Sequence, residues 1–264
     1  MSGYDLLIQG VYFCDLIFTG LPCIPTLGTE VFGTGFDALA GGTFNTVLAL
    51  HRLGIRVGWD CDFGSDLFSQ YVLGLVRSEG IDDGLFRVHD HPVQRVSASM
   101  SFPHDRAFIS FVDPQPEPQL APIIAQTRPR GVLLPHLDLD DTHAELCQAA
   151  HEVGAFVYMD CQYNHSTLDE PAVEAAIRAV DIFSPNESEA LRLTGTNTVE
   201  EALRRLAALV PMVIIKQGAQ GASLQTGDQV IQMPGLTVDV FDTTGAGDCF
   251  NAGFLYGYLR GEPL

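Results

Sequence analysis

Asp242-Thr243-Thr244-Gly245-Ala246-Gly247-Asp248 opens the last stretch of the chain, and Cys249, Phe250, Ala252, Phe254, Tyr256 and Leu259 follow it at roughly helical spacing. A Gly-Ala-Gly turn that starts a helix leaves backbone N–H groups without intrahelical partners. The positive end of the helix dipole adds to their pull on an anion. Asp248 falls in the first turn, beside the place a phosphate would take. A carboxylate set against a bound anion is unfavourable unless it has a task, such as taking the proton of a hydroxyl that attacks phosphorus. The stretch points to phosphoryl transfer to an alcohol. A plain helix start, with Thr244 as cap and Asp248 complementing the dipole, is the competing account.

Upstream, strand and helix patterns alternate: strand 131–134, helix 141–153, strand 155–160, helix 171–179, strand 181–184, helices 187–194 and 199–208, and strand 212–216. This order predicts a mostly parallel sheet covered by helices on both faces, with ligands outside the carboxyl ends of its strands. The first half reads differently. Residues 4–13 form one apolar, β-leaning run, 16–36 mix β-formers with Gly and Pro, and helix 44–53, strand 56–61 and helix 67–78 follow. Strands 93–102 and 106–112 are joined by a turn at Pro103-His104-Asp105. Segments 14–37 and 93–113 are expected to build a small β-sheet standing off the main body, with Pro114-Gln115-Pro116-Glu117-Pro118 as the linker back to it.

At 264 residues the chain suits one large α/β domain, and 46% hydrophobic against 18% charged residues excludes a disordered chain. A formal charge of −19 argues against nucleic acid or an anionic membrane as partner. It also means that any phosphate site must be built from backbone N–H groups, a few local cations and metal. The six cysteines show no C-x-x-C pair, so reduced thiols are expected. No basic leader followed by a long apolar run opens the sequence, and the expectation is a soluble, cytoplasmic protein. Gly33-Thr34-Gly35-Phe36-Asp37-Ala38 fits a dinucleotide fingerprint only loosely. No G-x-x-x-x-G-K-[ST] is present, and His143-Ala144-Glu145 lacks the P-C-x-x-C of a zinc deaminase.

Gly41-Gly42-Thr43-Phe44-Asn45-Thr46-Val47-Leu48-Ala49-Leu50-His51-Arg52-Leu53-Gly54 resembles the N-terminal signature of the ribokinase-like (PfkB) carbohydrate kinases, and Asp242 to Asp248 resembles their C-terminal signature. The resemblance runs from about Tyr4 to the end. It implies an α/β, three-layer α/β/α ribokinase-like fold with a mostly parallel central sheet, in a single domain over 1–264 with a β lid formed by about 14–37 and 93–113. It implies ATP-dependent transfer to a hydroxymethyl group of a sugar or sugar-like molecule, with Mg2+ and, as in many relatives, K+. Asp248 would be the base, and the N–H groups of Gly245, Ala246 and Gly247 would face the transferring phosphoryl group. Asp15, Gly41, Gly42 and Asn45 would hold the sugar. Asn186, Lys216, Gly218 and Gly221 would hold the nucleotide, Glu189 would organise Mg2+ through water, and Asp242 and Thr244 fall where relatives bind a monovalent cation. Members often dimerise through the lid sheet, so a homodimer is expected.

Plainer accounts stand beside these. Asp15 reads equally as a solvated turn residue, Gly41-Gly42 as a loop-to-helix turn, Asn186 with Glu189 as a capping box, and Lys216 with Gly218 as a surface lysine and a turn glycine. Two further functions remain open. A nucleoside kinase could stack a base on Phe13, Phe18, Phe36 or Phe102. A catalytically inert, sugar-binding regulatory homologue is suggested by the thin basic inventory and the 16 residues after Asp248, where relatives continue through further helices. Cys161-Gln162-Tyr163-Asn164 lacks the D-x-N-x-R run common in fructokinase-like members, which tells against a fructokinase.

Overall fold

The computed structural model describes residues 3–102, 106–115, 120–139, 141–162, 165–239 and 243–264. The turn expected at 103–105, positions 116–118 of the linker, and Asp242 lie outside the described residues. The elements are β1 (Leu6–Gln9), β2 (Tyr12–Thr19), β3 (Gly35–Gly42), α1 (Thr43–Arg52), β4 (Val57–Phe63), α2 (Leu67–Ser78), β5 (Phe86–Val88), β6 (Arg95–Ser101), β7 (Arg106–Val112), α3 (Leu120–Thr127) and β8 (Gly131–Leu134). They continue with α4 (Asp141–Glu152), β9 (Phe156–Asp160), α5 (Pro171–Arg178), β10 (Ile182–Ser184), α6 (Glu187–Thr194), α7 (Val199–Ala207), β11 (Met212–Lys216), β12 (Ala222–Thr226), β13 (Gln229–Met233) and α8 (Ala246–Arg260). The chain forms two compact units: Met1–Gln9, Ala49–Gly58 and Gln119–Leu264 make the first, Gly10–Leu48 and Trp59–Pro118 the second.

In the first unit, strands run in the order β13-β12-β11-β10-β9-β8-β1, parallel from β1 to β11 and antiparallel through β12 and β13. The parallel strands are continuous apolar runs, Leu6-Leu7-Ile8 and Val213-Ile214-Ile215 among them, because both faces are buried. α7 shows how its helices seat. Thr198 caps it by accepting from Glu201 N, and Val199, Ala202, Leu203 and Leu206 bury one stripe. The carboxyl ends of β9, β10 and β11 carry Asp160, Ser184 and Lys216. The β12-β13 hairpin, turning at Gly227-Asp228, is an addition that the sequence reading did not anticipate. Its strands mix polar and apolar residues, only Ser223 is buried in them, and they give little periodic signal.

The second unit holds a four-stranded sheet in the order β3-β2-β6-β7. Asp15 stands opposite Leu39 on one side and Ser97 on the other, and Ser97 stands opposite Ser110. Behind it, Tyr12 stacks on Phe63 at 4.9 Å, and Trp59 and Phe86 complete an aromatic cluster. Asp66 caps α2 through Phe68 N and Ser69 N and also accepts from Val93 N, tying the helix to the segment that leads into β6.

The run 4–13, expected as one strand, is two. At the break the Gly10 carbonyl accepts from the Trp59 indole (2.9 Å) and the Val11 carbonyl from Thr43 N (3.0 Å), so neither serves a sheet ladder there. Gly41-Gly42 closes β3 rather than forming a loop, and α3 and β5 were not foreseen. No helix among the described residues is long and apolar enough to cross a membrane.

Candidate functional site

The first unit gathers most of the residues singled out for nucleotide chemistry. α8 begins after Gly245, which is its N-cap in the left-handed region (φ 73°, ψ 5°), and no side chain caps it. Gly245 and not Thr244 therefore occupies the cap position, and a helix start of this kind can receive an anion. Of the three N–H groups expected at this turn, that of Ala246 is spent on the Thr243 carbonyl (3.1 Å). Those of Gly245 and Gly247 have no protein partner among the described residues. Asp248 is the third helical residue and half-buried.

Lys216 points its ammonium at this turn. A Cβ built on Gly247 would lie 3.8 Å from Nζ. The ammonium donates to Asp160 Oδ1 (2.5 Å) and to Asn251 Oδ1 (3.3 Å). Asn251 Nδ2 donates to Asp160 Oδ2, and the Tyr158 hydroxyl donates to Asn251 Oδ1 (2.7 Å). Burial pushes the Tyr158 phenol well up, so it stays a neutral donor.

Asn186 sits beside Lys216 as an isolated parallel bridge, with Lys216 N donating to Pro185 O (3.0 Å). Asn186 and Glu189 form a complete capping box: Asn186 Oδ1 accepts from Glu189 N (2.9 Å), and Glu189 Oε2 accepts from Asn186 N (2.8 Å). Burial raises the Glu189 carboxyl above its ordinary value. Asp160 pushes the same way, while the Asn186 N–H and the charges of Lys216 and Arg192 pull down. One oxygen of Glu189 and the amide nitrogen of Asn186 remain uncommitted among the described residues. Gly218 opens an exposed 3-10 turn, and a Cβ built on it would meet nothing within 4 Å among the described residues, so a ligand can approach it. Gly221 is different. A Cβ there would lie 1.9 Å from the Met233 carbonyl, so backbone packing alone requires the glycine. Thr244 is exposed, and Asp242 is not described.

The second unit carries the residues expected to hold the acceptor. The Asp15 carboxylate lies against Gly41 and makes no hydrogen bond or ion pair among the described residues. Burial pushes it up to about 6. Along the same row, Ser97 is buried and its hydroxyl bonds that of Ser110 (3.0 Å). Asn45 is half-buried on the first turn of α1, and Gly42 precedes that helix with φ +64°. Side chains alternate across the pleat, so Phe13 shares the Asp15 face while Phe18 and Phe36, paired at 5.2 Å, belong to the opposite one.

Asp160, Asn251 and Tyr158 had no role in the sequence reading. Two signals were there: Asn251 is three residues after Asp248, on the same helix side, and Lys216 is the only lysine among 264 residues.

The sequence model of the pfkB family carbohydrate kinases matches residues 36–264. The chain belongs to this family. It is 26% identical to the ribokinase of Bacillus subtilis over 98% of its own length and 87% of that protein's. An uncharacterized sugar kinase of Archaeoglobus fulgidus is 37% identical over 92 residues, a match spanning 35% of this chain and only 37% of that protein. The structure of Arabidopsis thaliana ribokinase complexed with ribose and ATP superposes with a TM-score of 0.82 at 24% identity, covering 99% of this chain and 88% of that one. The fold is the ribokinase-like one, with a large mostly parallel sheet and a separate small sheet.

Proposed function

We propose that the chain transfers the γ-phosphoryl group of ATP to a hydroxymethyl group of a sugar or sugar-like small molecule. The observation that carries this reading is the start of α8, where two N–H groups have no partner among the described residues, Asp248 lies in the first turn and the Lys216 ammonium stands at its mouth. Asp248 takes the proton of the acceptor hydroxyl as its oxygen attacks the γ-phosphorus. The bond from that phosphorus to the β-γ bridging oxygen breaks, and ADP leaves with the electron pair. The N–H groups of Gly245 and Gly247 and the helix dipole meet charge on the phosphoryl oxygens. Asp15, Gly41, Gly42 and Asn45 hold the acceptor, the carboxylate accepting from neighbouring hydroxyls. The small sheet serves as a lid that keeps water from the phosphoryl group.

The residues fit Mg2+ held mainly by water and phosphate oxygens. Among the described residues Glu189 keeps one carboxylate oxygen uncommitted, and no group of three acidic, His or Cys side chains converges. Such an ion supplies charge neutralisation on the phosphates. A K+ ion beside Asp242 and Thr244, a nucleotide approach over Gly218, a cytoplasmic location and a homodimer through the small sheet belong to the same reading. Phe18 and Phe36 lie on the face away from Asp15 and so are not placed to stack on a base there, whereas Phe13 shares the Asp15 face and keeps a nucleoside as the alternative acceptor.

The test is ADP formation from Mg-ATP with ribose, fructose, 2-keto-3-deoxygluconate, inositol and nucleosides, with Asp248→Asn alongside. Acceptor-dependent turnover that falls by about 100-fold or more in Asp248→Asn is expected. Near-normal turnover in that variant would remove Asp248 as the base. Sugar binding without ATP binding would favour the inert homologue.

A further inference from the structure

We infer that Asp160 and Asn251 are positioning residues that hold the Lys216 ammonium at the mouth of α8, with one N–H reserved for an oxygen of the transferring phosphoryl group. The inference rests on the phosphotransfer reading above.

An ammonium has three donors. Two are taken, by Asp160 Oδ1 and Asn251 Oδ1, and the third has no partner among the described residues. The side-chainless backbone of Gly247 lies next to Nζ, so a group seated on the α8 turn meets that third donor. Both partners are themselves held. Asp160 Oδ1 also accepts from Cys161 N (2.7 Å), Asp160 Oδ2 accepts from Asn251, and Asn251 Oδ1 accepts from the Tyr158 hydroxyl. The ammonium is thus placed before any ligand arrives, and the pair is largely withdrawn from water, at 13% and 14% side-chain exposure.

The carboxylate has a cost for affinity, because it cancels most of the field that would attract a polyanion. A site built only for tight nucleotide binding would leave the lysine unpaired. Pairing makes sense where the position of a donor in the transition state matters more than ground-state attraction. The composition agrees. Thirteen arginines supply every other cationic side chain of the chain, and the single lysine stands here. A compact ammonium with three donors can serve two anchors and a ligand at one point, as a planar guanidinium cannot.

The experiment compares wild type with Asp160→Asn, Lys216→Met and Tyr158→Phe by ADP calorimetry, steady-state kinetics and acylation with N-acetoxysuccinimide read by mass spectrometry. Lys216 carries the only ε-amine, so its acylation is unambiguous once the N-terminal amine is separated by peptide mapping. Freeing the ammonium in Asp160→Asn is expected to tighten ADP about threefold or more, speed Lys216 acylation, and lower kcat by about tenfold to 100-fold. Lys216→Met should weaken ADP and lower kcat. Tyr158→Phe should lower kcat a few-fold with ADP affinity unchanged. A merely structural Asp160 would instead weaken ADP together with thermal stability, or leave acylation and kcat alone, and either result overturns the inference. A wild-type protein that binds ADP yet turns over no acceptor would sink the phosphotransfer reading. The order of ADP affinities and the acylation rates would still decide the positioning of Lys216.

Discussion

The carboxylate of Asp15 fills the space that a side chain on Gly41 would need: a Cβ built there would lie 1.9 Å from Oδ2. The two residues are diagonal neighbours across β2 and β3, and Gly41 does not have a positive φ, so alanine is tolerable to the backbone. The conflict is with the end of a rotatable side chain. Gly41→Ala should therefore be relieved by turning the carboxylate away, at a stability cost of about 1 kcal/mol. The expected signature is an acceptor KM raised about tenfold or more with kcat changed less than about threefold. Initial rates over an acceptor titration check it, and an unchanged KM would mean that Asp15 does not hold the acceptor.

Asp15 also sets a pH dependence. Burial raises its carboxyl from 3.8 to about 6, and no partner among the described residues offsets that cost. In the folded state the proton is held more tightly than in the unfolded chain. Stability from this group is therefore greatest below pH 3.8 and is lost as pH rises toward and through about 6. Asp15→Asn removes the penalty. Its thermal midpoint should exceed the wild-type value at pH 8, and the difference should shrink toward pH 4. Acceptor affinity should fall in the variant at every pH, and in wild type below about pH 6, where the carboxylate becomes protonated. A variant less stable than wild type at pH 8 would contradict this account.

The parallel strands and their helices were legible because each is a continuous apolar run or an amphipathic stripe of ordinary length. The strand break at Gly10-Val11 was not, since it is decided by where two carbonyls bond, to the Trp59 indole and to Thr43 N, from segments distant in sequence. The α8 turn was legible as a motif, yet the loss of the Ala246 N–H to Thr243 depends on backbone geometry that composition does not encode. Asn186 and Glu189 were read both as a capping box and as a metal-organising pair. The box is complete, and it leaves one carboxylate oxygen for the second task. Asp160 and Asn251 escaped notice because they come together with Lys216 only when the ends of β9 and β11, on either side of β10, meet α8.

Asn186→Asp separates the two tasks of that residue. An aspartate caps as well as asparagine does, so the bond to Glu189 N survives and the thermal midpoint should stay close to wild type. The added charge stands beside Lys216 and Glu189 where nucleotide phosphates are proposed to bind. KM for ATP should rise about tenfold, and the Mg2+ concentration giving half-maximal rate should shift. Asn186→Ala, by contrast, should cost about 1 kcal/mol of stability through the lost cap. Chemical denaturation and ATP titrations of the two variants distinguish these outcomes; equal KM values for Asn186→Asp and wild type would reduce Asn186 to a cap.

Arg87 supports two carboxylates in the second unit that the interior would otherwise reject. Its guanidinium forks onto Asp62 (2.8 Å to each oxygen) and also bonds Asp60, whose side chain is fully buried. Burial pushes Asp60 up against the pull of Arg87. On Asp62 burial works upward too, but bonds from Arg87 and His89 bring it below its ordinary value. Arg87→Met should leave both carboxylates without the guanidinium and cost about 3 kcal/mol at pH 7.5. The deficit should narrow as pH falls. Wild type loses the benefit of a depressed Asp62 below its unfolded value, and the variant regains stability as its raised carboxyls take up protons. Urea unfolding at pH 7.5 and pH 4.5 measures both effects, and a deficit that stayed constant with pH would show that Arg87 contributes packing rather than charge.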